Sequence, residues 1–333
     1  MQAGRSGHTG LRPAAPSPWR DAGARALLPK SVAVFFGLAA TPLAAQDLPA
    51  AWAVAPEIVA ETSTYTEGLA FDADGAMFFS EPRRGAVTRV GSDGAEGEFL
   101  TRTGANGHAV MPDGTHVVMT RPAVLWLDGD GSVLHEVDGL DGGTFVFPND
   151  LELDGQGGFW FTDSGSRTEA TGAVYHIDAE RQVRRVADGL AFPNGVILSD
   201  GRLFVSQSQA NDVLVFDVAD DLSLGLASVF AELPPEGLDD AKAAPDGMCL
   251  GPAGRLFVTH HGTGRVRALD AEGADAEGAL VASYRTGLLT NSNCAFGPDG
   301  APYVTGSFGL ETTPGAIARL DLFPPATASP TED

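Results

Sequence analysis

NDLELDGQGGFWFT, running from Asn149 to Thr162, is the stretch whose reading decides the fold. It opens on polar residues, passes through a short apolar run, breaks at an Asp-Gly turn and resumes as a strand of Phe, Trp and Thr. That is the pattern of a β-hairpin. The same phrase occurs five more times. It reads EGLAFDADGAMFFS from Glu67, NGHAVMPDGTHVVM from Asn106, NGVILSDGRLFVS from Asn194, DGMCLGPAGRLFVT from Asp246 and SNCAFGPDGAPYVT from Ser292. Successive starts are 39, 43, 45, 52 and 46 residues apart.

Further strands follow the hairpins: GAVTRV at Gly85, GAVYHI at Gly172, NDVLVF at Asn211, GRVRAL at Gly264 and GAIARL at Gly315. A turn such as Gly94 or Gly273 then opens a fourth. Four antiparallel strands per repeat of this length make a β-propeller blade, and six repeats predict an all-β, six-bladed β-propeller. Glu57 to Glu61 precedes the first phrase and is a spare strand, expected to complete the sixth blade and close the ring. The long fourth spacing holds a Pro- and Asp-rich insertion near Leu233 to Ala244, expected as a loop over one face. Trp126 and Trp160 are expected between blades. No helical periodicity competes with this reading.

The composition agrees. Among 333 residues are 42 Gly and 22 Pro, as a turn-rich chain needs. Lys and Arg number 21 against 44 Asp and Glu, a net charge of -23 that speaks against nucleic acid as a partner. At the N-terminus, five basic residues precede the apolar run SVAVFFGLAATPLAA at Ser31 to Ala45. A basic leader, an apolar stretch too short to span a bilayer and small residues at its end read as a secretory signal. The expected organisation is therefore a signal over 1–45, a propeller over 46–322 and a disordered tail over 323–333. The exported chain would be periplasmic or secreted, without a membrane span, and a monomer.

In a propeller, residues at one phase of the repeat form a ring around the central channel. The first residues of the six phrases are Glu67, Asn106, Asn149, Asn194, Asp246 and Ser292, and each can offer oxygen. Polar residues can line a watery channel without any chemistry. Two acids converging with amides on one axis, however, call for a cation. Carboxylate and amide oxygens suit a hard divalent ion, Ca²⁺ first, with Mg²⁺, Mn²⁺ and Zn²⁺ as alternatives.

These phrases resemble the gluconolactonase/senescence-marker-protein (regucalcin) family, which is also similar to phosphotriester-cleaving propellers. The carrying motifs are TEGLAF at Thr66, FPNDLELD with FWFTD from Phe147, FPNGVILSDGRLFVS at Phe192, PDGMCLGPAGRLFV at Pro245 and SNCAFGPDG at Ser292. They span about 57 to 322. The resemblance implies one divalent metal at the top of the channel, held by Glu67, Asn149, Asn194 and Asp246. It also implies a reaction that opens a lactone or related ester. Asn106 would face the substrate, with Ser292 beside it. Animal members carry an Arg where this chain has Phe147, which turns expectation from a polyhydroxylated sugar lactone toward a less polar lactone or ester. His261, in VTHHGTGRV, matches a pocket-lining position, whereas His260 points away. His108, two residues after Asn106, is expected to lean toward the channel.

On this reading the metal polarises the lactone carbonyl and Asp246 is the catalytic base for water. Phosphotriester or other ester hydrolysis at the same site, or a propeller that only binds a ligand or protein, are the alternatives. The sequence has no G-x-S-x-G, H-E-x-x-H or P-loop. DGDGS at Asp128 lacks the terminal Glu of a calcium loop and reads as a turn. Cys249 and Cys294 stand one residue out of phase when their hairpins are aligned. They are therefore expected to face opposite sides of their strands as free buried thiols.

Overall fold

The computed structural model describes residues 48–235, 243–271 and 278–323. The leader expected at 1–45, part of the insertion and all but the first residue of the tail lie outside these residues.

Six four-stranded antiparallel sheets are present, one per phrase. Their first strands are Glu67–Phe71, His108–Val110, Pro148–Leu153, Pro193–Ser199, Ala244–Leu250 and Thr290–Phe296. Each packs against the first strands of the blades before and after it, and the sixth packs against the first, so the ring is closed. The strand Pro56–Thr62 pairs antiparallel with Gly315–Leu320 and supplies the fourth strand of the sixth blade. Closure thus pairs the first and last described strands of the propeller, as the spare strand at Glu57 to Glu61 predicts.

The core lies between the blades. Each second strand is buried on both faces, and its alternate side chains fill the gaps on either side. Phe159 and Phe161 face blade two, packing with Met119 and Trp126, while Trp160 faces blade four and packs with Val196 and Val205. Leu256 and Val258 join the cluster shared with blade four, and Phe257 joins the one shared with blade six. This is why FWF, LFV and MFF read as continuous apolar runs rather than alternating ones. DGDGS forms the expected turn, with Asp128 accepting from the backbone N–H of Asp130 and Ser132.

One expectation is overturned here. Cys249 and Cys294 form a disulfide, with Cα atoms 5.6 Å apart. They lie on the first strands of blades five and six, which pack face to face. One strand contributes its forward face to that gap and the other its rear face. Opposite phase is therefore what brings two side chains together across a blade interface.

Candidate active site

At the rim end of five first strands the pairing register slips, so that two residues of the first strand oppose one of the second. Asn149 and Asp150 stand opposite Thr162, Asn194 and Gly195 opposite Ser206, and Asp246 and Gly247 opposite Thr259. Blade two shows the same slip in its hydrogen bonds: Asn106 N–H donates to the Met119 carbonyl, and Met119 N–H to that of Gly107. A bulge of this kind bends the strand and re-aims its side chains. All the phrase-initial residues but Ser292 turn to the rim.

In four blades a hydroxyl on the second strand ties the bulge to the next blade. Ser80 donates to the Asn106 carbonyl at 2.6 Å, Thr162 to that of Asn194 at 2.6 Å, Ser206 to that of Asp246 at 2.7 Å and Thr259 to that of Ser292 at 2.9 Å. In blade two Met119 replaces the hydroxyl, and Gly107 N–H donates to the Asn149 carbonyl instead. The extra residue of the bulge also displaces His108. It packs on Phe78 between blades one and two, 2.9 Å from His116 Nδ1, and does not lean into the channel. Burial first, then His116, pushes its pKa down to about 3.

The rim encloses a cavity of about 490 Å³. Of the residues singled out in the sequence, Glu67, Asn106, Phe147, Asn149, Asn194, Asp246 and His261 line it. Ser292 does not: its hydroxyl donates to the Thr66 carbonyl at 2.6 Å and lies 2.8 Å from that of Thr305, so it ties blade six to blade one. His260 points away, into a contact with Asn211 and Arg267.

The floor is buried and acidic. Glu67 accepts from the Tyr65 hydroxyl at 2.9 Å, Asn106 donates to Asn149 Oδ1 at 3.0 Å, and Asn149 donates to Ser164 at 2.9 Å. Burial pushes Glu67 up to about 8, against the Tyr65 hydrogen bond that favours its charge. Asp246 is raised well above the carboxylate range by burial, then by the charge of Glu67. The protein alone thus opposes ionisation of both acids. Asp246 Oδ1 and Asn106 Oδ1 are buried without a hydrogen-bond partner. Orphaned oxygens beside two disfavoured carboxylates fit a hard cation. Glu67, Asn149, Asn194 and Asp246 are the residues that would hold it. Among the described residues no three His, Cys, Asp or Glu side chains gather, so amides would make up the set.

Several lining residues escaped the sequence reading. Tyr65, Gly104, Phe192 and Ala244 stand two positions before their rim residues, at the phase of Phe147, and all of them face the cavity. The repeat places them there as it places the rim residues. Phe147 and Phe192 meet edge to face at 5.8 Å. Asp163 holds the Phe147 loop by accepting from the N–H groups of Val146, Phe147 and Gly165. The exposed Arg83, Arg121 and Arg167 and the half-buried Glu311 form the mouth; they come from outside the phrases and carry no periodic signal.

Residues 65–307 match the model of the SMP-30/Gluconolactonase/LRE-like region. The chain belongs to this family. It is 26% identical to the lactonase drp35 of Staphylococcus saprophyticus over 275 residues, which is 78% of this chain and 84% of that protein. A gluconolactonase structure from Xanthomonas campestris superposes with a TM-score of 0.67 at 25% identity, covering 80% of this chain and 89% of that one. A calcium-binding regucalcin from Agrobacterium tumefaciens, at 17% identity and a TM-score of 0.64, shares the fold over 80% of this chain and 94% of its own.

Proposed function

We propose that this family member is an exported, divalent-metal-dependent lactonase. The observation that carries the reading is the buried pair Glu67 and Asp246, set among amide oxygens on the floor of an open cavity. Its kinship with the staphylococcal lactonase and the gluconolactonase from Xanthomonas supports lactone opening, and the likeness to a calcium-binding regucalcin supports Ca²⁺ as the first candidate.

Bound among these residues, a cation would polarise the lactone carbonyl and favour the oxyanion that follows attack. Asp246, ionised, takes a proton from the attacking water. Water oxygen bonds to the carbonyl carbon, the ring C–O bond breaks, and the ring oxygen takes that proton from Asp246 and leaves as the hydroxyl of a hydroxy-acid. Glu67 balances charge, held in orientation by Tyr65. The aromatic lip of Phe147 and Phe192 would pack on the face of the lactone ring.

The test is acid release from a panel of sugar and aliphatic lactones by chelator-treated protein, before and after adding Ca²⁺, Mn²⁺ or Zn²⁺. Turnover should be lost with the metal and return with it, and Asp246→Asn should reduce kcat at least a hundredfold. Folded, metal-loaded protein that opens no lactone would sink the reading. Export is supported by the basic leader with its apolar run and by the Cys249–Cys294 bridge, since disulfides persist in oxidising compartments.

A further inference from the structure

The mouth of the cavity has the opposite charge to its floor. Arg121, just after the second strand of blade two, lays its guanidinium on the face of Phe147, with Cζ 3.1 Å from the ring centroid. Arg167, on a loop of blade three, lies 4.9 Å from the centroid of Phe192 and 5.9 Å from that of Phe147. Both side chains line the cavity and both are exposed. Neither makes a close ion pair with a carboxylate among the described residues, although Glu311 and Glu67 attract Arg121 from a distance. The acid at the mouth, Glu311, lies 3.5 Å from Arg83.

The chain carries about twice as many acids as bases. Elsewhere Arg84, Arg102 and Arg319 each sit against carboxylates. Here two like charges share one aromatic lip, an arrangement that costs repulsion until an anion joins them. Stacking on the rings fixes the guanidinium planes and leaves their N–H edges for a ligand. A planar guanidinium edge matches a carboxylate, with two parallel N–H···O bonds.

Resting on the lactonase reading, we infer that Arg121 and Arg167 select lactones bearing a second, anionic group, a carboxylate attached to the ring. The ester carbonyl goes to the acidic floor and the carboxylate to the basic mouth. The orientation cannot reverse, because a free carboxylate placed against Glu67 and Asp246 would compete for the cation and be repelled by both acids. The aromatic lip between them takes the ring. The reaction then yields a hydroxy-dicarboxylate.

The experiment compares a γ-lactone carrying a ring carboxylate with its carboxamide, equal in size but neutral. With metal-loaded wild type, kcat/KM should favour the carboxylate at least tenfold, mainly through KM, and the preference should shrink as salt is raised. In R121Q/R167Q the KM for the carboxylate should rise at least tenfold, to that of the amide. Arg89→Gln, which removes the same charge outside this cavity, should keep the preference. Equal kcat/KM for the two lactones in wild type, or a preference that survives R121Q/R167Q, overturns the inference. If wild type opens neither lactone, the lactonase reading fails separately. Calorimetry with the ring-opened hydroxy-diacid and its monoamide then decides the anion site: diacid binding that weakens tenfold in R121Q/R167Q upholds it, and unchanged binding overturns it.

Discussion

Ser206 shows how a residue with no chemistry of its own holds the site. Its hydroxyl is buried and donates to the backbone carbonyl of Asp246 from the neighbouring blade. Ser206→Ala leaves that carbonyl unsatisfied, at a cost of about 1–3 kcal/mol. The loss should also let the Asp246 bulge drift. Metal affinity and kcat should therefore fall more than tenfold while the fold persists at 25 °C. The equivalent positions in blades three, five and six are Thr162, Thr259 and Thr305, so Ser206→Thr should restore both. Metal titration with activity assays across the two variants separates this positioning role from general loosening, in which case kcat would hold below the unfolding range.

The bulged strand is the element on which the site depends, and its glycines show the tolerance. A Cβ at Gly68 would stand 1.8 Å from the Asn106 carbonyl oxygen, with φ at +37°. Gly68→Ala should cost more than about 3 kcal/mol, through overpacking and backbone strain together. Gly97, on the outer strand Glu96–Thr101, would meet nothing within 4 Å. Gly97→Ala should be neutral or stabilise by about 0.4–1 kcal/mol. Denaturant melts of the two variants check the contrast. The same element marks the limit of what the sequence discloses. Six repeated hairpins and the phase of their first residues were legible, because strand period and turn chemistry are local. The bulge was not, because it consists in how two strands slip against each other. His108 was misplaced for that reason, and Ser292 because its short hydroxyl is taken up by the Thr66 carbonyl of the next blade. Arg121 and Arg167 reach the mouth only because the ring brings loops of different blades together.

At the scale of the molecule, the fold is a closed ring held by six blade interfaces and one covalent link. Every interface combines apolar packing with a hydrogen bond to a neighbouring blade's backbone carbonyl. The interface between blades five and six also carries the Cys249–Cys294 bridge, closing a loop 45 residues long in sequence. In the chain-entropy account, such a link removes freedom from the unfolded chain worth about 4 kcal/mol. The bridge lies in the apolar layer with Phe257 and Val304, away from the cavity. Reduction should therefore act on persistence rather than on chemistry. C249A/C294A should keep lactone turnover within about threefold at 25 °C, yet unfold several degrees lower and at lower denaturant. Wild type melted with a reducing agent should move toward the variant, and the variant itself should not respond to that agent. A variant as stable as the oxidised wild type would show that non-covalent contacts alone close the ring, and the bridge would then cease to support an oxidising compartment.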